Sequence, residues 1–272
     1  MGHRVAIVGA GYAGMAAAVT LAGRGVPATV FDSVPVPGGR ARRVRVQGRE
    51  LDNGQHILIG AYGELLRMMR TVSVPQDAVL RIPLELRYAD GFTLRALWLP
   101  APLGPLGGLL AARSLPLAER FGAVRFVRAL RKLRFRIEPD CTVSELLARY
   151  GQGGRIGLYI WRPLCVSALN TPPELASASV FAAVLRDSVA GESEASDLLL
   201  PRTDLSRLFP EPACQFVQDH GGQVRTGTPV RSITPDLKVD GATFSHVVLA
   251  VGPHQLKPFA DLLGDLPQFA YQ

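Results

Sequence analysis

Gly9, Gly11 and Gly14 stand in the spacing G-x-G-x-x-G, and Asp32 follows further along the chain. Together these residue types can hold a dinucleotide. The first glycine allows a tight turn, the second lets backbone approach a pyrophosphate, and the third lets a helix lie close to a sheet. An acid at the end of the next strand can accept hydrogen bonds from the adenosine ribose hydroxyls. For the four residues to act together, the chain must form a strand, a helix and a second strand in immediate succession. The apolar run Val5 to Val8 has strand length, Met15 to Leu21 reads as a small-residue helix, and Ala28 to Phe31 reads as the strand that delivers Asp32. A helix opening at the glycines would aim free N–H groups and a partial positive charge at the phosphates.

Val36-Pro37-Gly38-Gly39-Arg40-Ala41 comes directly after the acidic strand end. Gly39 permits close backbone approach, and Arg40 can pair with a pyrophosphate as a bidentate donor. A plain Pro-Gly surface turn with a solvated arginine would use the same residues. Next comes the polar turn Asp52-Asn53-Gly54-Gln55-His56, then apolar Ile57-Leu58-Ile59-Gly60. The order of glycine fingerprint, acid, Gly-Gly-Arg and Asp-x-Gly-Gln-His resembles the flavin-binding half of the amine oxidase and phytoene desaturase superfamily. That resemblance implies FAD, rather than a nicotinamide, as the tightly held cofactor.

The chain has 272 residues, enough for one large domain or two intertwined ones, and 47% are hydrophobic. The mean hydropathy of +0.17 suggests an oily site or surface. A net charge of +7 points to an anionic partner. Nucleic acid is disfavoured, because there is no zinc-finger spacing, RNP-type motif or basic tail. Cys141, Cys165 and Cys214 are far apart with no C-x-x-C, which fits a reducing cytoplasm and small buried apolar roles. The apolar N-terminus is accounted for by the glycine fingerprint rather than by a signal peptide. No uninterrupted apolar run of about 20 residues appears, so nothing is expected to span a bilayer.

The expected fold class is α/β, a Rossmann-like FAD-binding domain with an inserted, mostly helical α+β substrate domain. Residues 1–63 form the first part of the FAD-binding domain, 64–200 the substrate- and membrane-facing domain, and 201–272 the second part of the FAD-binding domain. Thr203 reads as a helix N-cap before Asp204 to Phe209. Gln223 to Val230 suggests a short strand and turn, Val239 to Phe244 a hairpin arm, and His246 to Pro253 a buried strand ending in a glycine turn. By the resemblance, backbone at Val230 contacts the adenine and the strand Val247 to Val251 lies near the dinucleotide; any parallel core strand would have the same apolar composition. Ala96 to Ala112 carries no charge and is dense in proline and glycine, so an apolar loop rather than a stable helix is expected there. Ala118 to Arg136 reads as a basic helix in which Phe121, Val124, Val127, Leu130 and Leu133 recur every three residues. Between Arg113 and Arg136 stand eight basic residues and one acid, Glu119. Two readings fit: an interfacial helix on an anionic membrane, or an ordinary amphipathic helix packed on the core.

The resemblance narrows at Trp161-Arg162-Pro163-Leu164-Cys165-Val166-Ser167-Ala168-Leu169-Asn170-Thr171-Pro172-Pro173, taken with Asp52 to Tyr62 and Asp197 to Arg202. The chain resembles the squalene-associated FAD-dependent desaturases, also called hydroxysqualene dehydroxylases, which serve bacterial hopanoid synthesis. Members of that family continue beyond the position of Gln272, and their superfamily closes the FAD site with a C-terminal glycine-rich segment. A chain without it is expected to hold FAD weakly. The resemblance implies reduction of an allylic hydroxysqualene to squalene with reduced FAD as donor. Such a site needs a protonated acid near the leaving hydroxyl, apolar walls for a C30 isoprenoid, and exclusion of water.

His56 is the first candidate acid, because its turn is expected to enter near the flavin ring; a structural, hydrogen-bonded histidine is the alternative. Asp187 is the second, since a carboxyl in an apolar pocket keeps its proton; a salt bridge with Arg186 or a helix-end carboxylate is the alternative. Trp161, Leu164, Leu169 and Phe181 serve either as core packing or as channel wall. No metal site is expected. The implied setting is cytoplasmic and peripheral on the inner face of a bacterial membrane, with other hopanoid-pathway enzymes as neighbours. Two rival functions are a related desaturase or amine oxidase that uses oxidised FAD, and a non-catalytic lipid- or dinucleotide-binding protein.

Overall fold

The computed structural model describes residues 4–54, 56–95, 103–112, 114–189 and 194–264. These fall into two compact units. The first comprises residues 1–56, 63–80 and 201–272, and the second residues 57–62 and 81–200.

The first unit is organised by a four-stranded, all-parallel sheet. Strand β1 (Val5–Val8) lies between β2 (Ala28–Phe31) and the strand His246–Leu249, and β2 also pairs with Gln223–Arg225. Every residue of β1 is buried, which explains its unbroken apolar sequence: a parallel strand covered on both faces shows no alternation. Ala6 and Phe31 pack on one face against Phe244 and Val239, beside the hairpin of Lys238–Val239 with Ala242–Thr243. Helix α1 (Tyr12–Ala22) connects β1 to β2, with Met15, Ala18, Val19 and Ala22 buried.

Helix α1 has no charged residue on any side, and Ala13 is its one exposed residue. Its Ala13, Ala16, Ala17 and Thr20 border an apolar groove of about 590 Å³, shared with Leu65 and Met68 of helix α2 (Gly63–Thr71). Residues 63–80 therefore group with the first unit, and the division expected at residue 63 is displaced. Met68 and Met69 account for this, because α2 buries both of them.

The second unit is mainly helical. Helices α3 (Leu103–Ala111), α4 (Leu117–Lys132), α5 (Val143–Arg149), α6 (Arg162–Leu169) and α7 (Ala178–Val189) surround a core that includes Phe126, Leu146, Ile156, Trp161 and Phe181. An antiparallel pair, Glu85–Arg87 with Thr93–Arg95, completes it, together with a three-stranded sheet in which Leu58–Ile59 pairs with Leu198–Leu199. A capping box opens α5, with Thr142 and Glu145 each satisfying the other's backbone N–H. Asn170, left-handed at φ 48°, closes α6. The indole N–H of Trp161 donates to Gln152 Oε1 at 3.0 Å, so the buried pair satisfies itself. Trp161 and Phe181 are thus core residues, while Leu164 and Leu169 are partly buried against that core.

Four expectations need correction. Helix α3 forms where proline and glycine were expected to forbid one; Ala96 to Pro102 lie outside the described residues. Pro105 stands third in the helix, where a backbone N–H has no intrahelical partner to lose. The buried Leu109, with Ala112 just beyond the helix, supplies the packing that offsets its glycines.

In α4 the buried positions are Ala123, Phe126, Val127 and Leu130, a spacing of three, four and seven. The three-residue stripe drifts off this face, which leaves Phe121 and Leu133 exposed. Asp204, not Thr203, caps the short helix α8 (Leu205–Leu208), its carboxylate accepting from the Arg207 N–H at 3.0 Å. The strand His246–Leu249 is half-exposed rather than buried, since among the described residues it pairs only with β1.

Candidate cofactor-binding site

The site lies at the C-terminal ends of β1 and β2, where Gly9-Ala10-Gly11 and Gly38-Gly39 run side by side. The Gly38 N–H donates to the Ala10 carbonyl at 2.9 Å, and Gly11 bridges to Gly38. Gly9 adopts φ +108°, and a β-carbon there would meet the Ala250 carbonyl oxygen at 2.6 Å, so no other residue fits. A β-carbon on Gly14 would run into the Gly9 carbonyl oxygen, which is the close helix–strand approach expected of the third glycine. Gly39 faces Gly11, each lacking the side chain that would fill the space between the two turns.

Gly11 caps α1 in extended backbone, and no side chain closes the helix N-terminus. The first N–H groups of α1 are therefore available to a phosphate. Arg40 is exposed, and its guanidinium has no partner among the described residues.

Asp32 holds this cradle in shape. Its Oδ2 accepts from the Ala10 N–H at 2.6 Å and its Oδ1 from the Val34 N–H at 3.0 Å. Each oxygen keeps a further lone pair for a ribose hydroxyl. The Asp32 carbonyl takes the Thr228 N–H at 2.7 Å, and the Val34 carbonyl takes that of Gly227 at 3.0 Å. These bonds bring the segment before Val230 alongside the acid. Val230 itself packs against the cluster of Ala6, Phe31, Val239 and Phe244. Its backbone N–H and carbonyl have no partner among the described residues, which leaves them free for an adenine edge.

Several residues that position the site carry no local sequence signal. Ser206 is fully buried, donates to the Pro37 carbonyl at 2.6 Å and accepts the Arg43 N–H at 2.9 Å. It thereby ties α8 to the turn that presents Gly38 and Gly39. The Arg43 guanidinium contacts Asp204 at 3.1 Å and Glu211 of helix α9 (Pro210–Asp219) at 2.8 Å. Tyr12 donates its hydroxyl to the Leu205 carbonyl at 2.7 Å. Burial, with the charges of Asp52 and Asp204, raises the Tyr12 phenol, so it stays protonated as a donor. Ser206 and Pro37 are so far apart in the chain that no local pattern could have paired them.

Burial opposes the charge of Asp204, but the Arg207 N–H and the Arg43 guanidinium outweigh it and hold the carboxyl below the usual carboxylate range. A depressed folded-state value contributes stability that is present above the unfolded carboxylate range, near pH 4, and is lost as pH falls through the folded value. Thermal unfolding across acidic pH should show a loss of stability in that window that flattens in Asp204→Asn. An identical acid slope in the two proteins would count against this role.

His56 is exposed, with Nδ1 3.1 Å from the Gly54 carbonyl. A carbonyl only accepts, so Nδ1 carries the proton and Nε2 is the open position. Its turn is tied to the cofactor loop, because Asn53 Nδ2 donates to the Arg40 carbonyl at 3.1 Å; Gln55 lies outside the described residues.

Asp187 does not lie in an apolar pocket. It is exposed on α7 in the second unit and ion-paired with Arg186 at 2.8 Å. The apolar-pocket reading is therefore corrected: solvent and the Arg186 guanidinium, not apolar side chains, surround the carboxyl group. Burial and then Glu174 raise the Cys165 thiol. Burial, with Glu211 and Asp32, pushes the Cys214 thiol up to about 12. Neither is a ready nucleophile at neutral pH. No metal-ligating cluster occurs among the described residues.

A parallel βαβ unit with a glycine cradle, an acid at the second strand end and an unclosed helix N-terminus defines a dinucleotide-binding protein of the flavoenzyme type. The chain belongs to the flavin containing amine oxidoreductase family, whose pattern matches residues 12–271. Its cofactor is FAD, and the cradle fits the pyrophosphate and ribose of that dinucleotide.

Over 93% of this chain it is 27% identical to a hydroxysqualene dehydroxylase of Sinorhizobium fredii, of which it covers 60%. Over 85% of the chain it is 25% identical to a probable zeta-carotene desaturase of Synechococcus elongatus, of which it covers 51%. The chain thus spans roughly half to three-fifths of these relatives' lengths. The fold is shared with an oxidoreductase of Methanosarcina mazei, with a TM-score of 0.66 at 16% identity, covering 93% of this chain and 60% of that one.

Proposed function

We propose that the protein is an FAD-dependent oxidoreductase that reduces hydroxysqualene to squalene in isoprenoid synthesis. The reading is carried by the likeness to hydroxysqualene dehydroxylase along 93% of the chain. The balance of the reaction is simple: an allylic alcohol, a hydride and a proton give the hydrocarbon and water. Reduced FAD supplies the hydride when bound. Gly9, Gly11, Gly39 and Arg40 hold its pyrophosphate, Asp32 its ribose, and the Val230 backbone its adenine.

Departure of hydroxide is unfavourable, so the alcohol oxygen must be protonated as its C–O bond breaks, and the allylic cation spreads the remaining charge. His56 is the proton donor in this scheme. With Nδ1 committed to Gly54, Nε2 is the position from which a proton would pass to the leaving oxygen.

The likeness to zeta-carotene desaturases favours a second reading, in which oxidised FAD removes hydrogen from an isoprenoid. Anaerobic incubation with photoreduced FAD separates the two. Formation of squalene from hydroxysqualene supports dehydroxylation. Dehydrogenation of a polyene by oxidised FAD, with hydroxysqualene untouched, would replace it. A purified protein with no flavin spectrum and no FAD titration would favour a non-catalytic binding role instead.

A further inference from the structure

Helix α4 presents a solvent face on which apolar and basic side chains share one line. Leu117, Phe121, Arg125, Arg128 and Lys132 succeed one another at intervals of four, four, three and four residues, which places them on one side of the helix. All five are exposed, Leu117 at 65% and Phe121 at 58%. The opposite side buries Ala123, Phe126, Val127 and Leu130, so the helix is held by the core, and its outer face is left without packing among the described residues.

The charge on this face is of one sign. Glu119, the only acid of the helix, turns away and accepts the Ile156 N–H at 2.7 Å. Arg120 spends its guanidinium on the carbonyls of Leu115 and Leu110. Arg125, Arg128 and Lys132 form no ion pair among the described residues.

We propose that this outer face of α4 is a docking surface for an anionic lipid bilayer. Guanidinium and ammonium groups alone would suit any polyanion. The two bulky apolar side chains decide between partners, because a nucleic acid would engage the arginines and leave Leu117 and Phe121 in water. A bilayer interface accepts both, burying leucine and phenylalanine at the acyl boundary while the basic groups reach headgroup phosphates. Docking of this kind needs no spanning helix, and no helix among the described residues is long and apolar enough to cross a membrane. The inference stands on the surface alone and does not depend on the reaction proposed above.

Cosedimentation of the 272-residue protein with vesicles tests it. The wild type should bind vesicles containing phosphatidylglycerol at low salt, be released by high salt, and bind pure phosphatidylcholine much more weakly. Each basic group near an anionic leaflet is worth about fivefold in partitioning, so Arg128→Glu with Lys132→Glu should lose more than about tenfold. Leu117→Ser with Phe121→Ser keeps every charge and should still lose binding. All four positions are exposed, so thermal unfolding of both variants should match the wild type. Equal binding by wild type and variants, or no binding by the wild type, would overturn the proposal. Tight binding of a short DNA duplex that Leu117→Ser with Phe121→Ser leaves intact, with vesicles ignored, would reassign the face to nucleic acid.

Discussion

Exchanging Asp32 for alanine is expected to weaken FAD binding by about 10- to 100-fold, as loss of charge-assisted hydrogen bonds worth about 1.5–3 kcal/mol implies. Two effects combine. In the proposed binding mode the ribose hydroxyls lose their acceptor, and the Ala10 and Val34 N–H groups lose theirs. The second effect reaches the pyrophosphate as well, because Ala10 also accepts the Gly38 N–H and so couples the two glycine turns. Asp32→Asn separates charge from shape, since its amide oxygen can still accept one of the two backbone hydrogens. Equilibrium titration with FAD should therefore rank wild type above Asp32→Asn above Asp32→Ala. Indistinguishable affinities would mean that the ribose lies elsewhere.

The largest stability effect is expected at Ser206. Ser206→Val removes the acceptor of the Arg43 N–H and the donor to the Pro37 carbonyl, and both lie in a packed turn. Two unpaired groups, at about 1–3 kcal/mol each, predict a loss of roughly 2–6 kcal/mol. There is also little room for the added methyl group, since a β-carbon on Gly38 would already stand 3.0 Å from the Ser206 hydroxyl. Ser206→Ala loses the same bonds without the added bulk and should be the milder variant. Urea unfolding measures the stability, and FAD titration of the still-folded fraction measures the cradle. A midpoint in Ser206→Val equal to that of the wild type would show that Ser206 does not hold the turn together. Retained FAD affinity alongside a lowered midpoint would assign Ser206 to stability alone.

The sequence by itself determined the βαβ unit that carries the cofactor loops. Strand β1, helix α1 and strand β2 are contiguous, and their glycines are dictated by local backbone geometry, such as the φ of +108° at Gly9. A requirement that acts within about 30 residues leaves its mark in the local spacing of residue types. The basic, amphipathic nature of α4 was legible for the same reason, although its buried face was misplaced, since a three-residue repeat and a 3.6-residue helix separate within two turns.

Only the tertiary structure decided what surrounds that unit. Asp187 came out exposed beside Arg186 because burial belongs to the packed chain and not to the residues next to it in sequence. Helix α3 formed despite its glycines because its buried leucine outweighed local propensity. Ser206, Arg43 and Asp204 acquired their roles through bonds spanning more than 150 residues, and such partners carry no fixed spacing for a sequence to display.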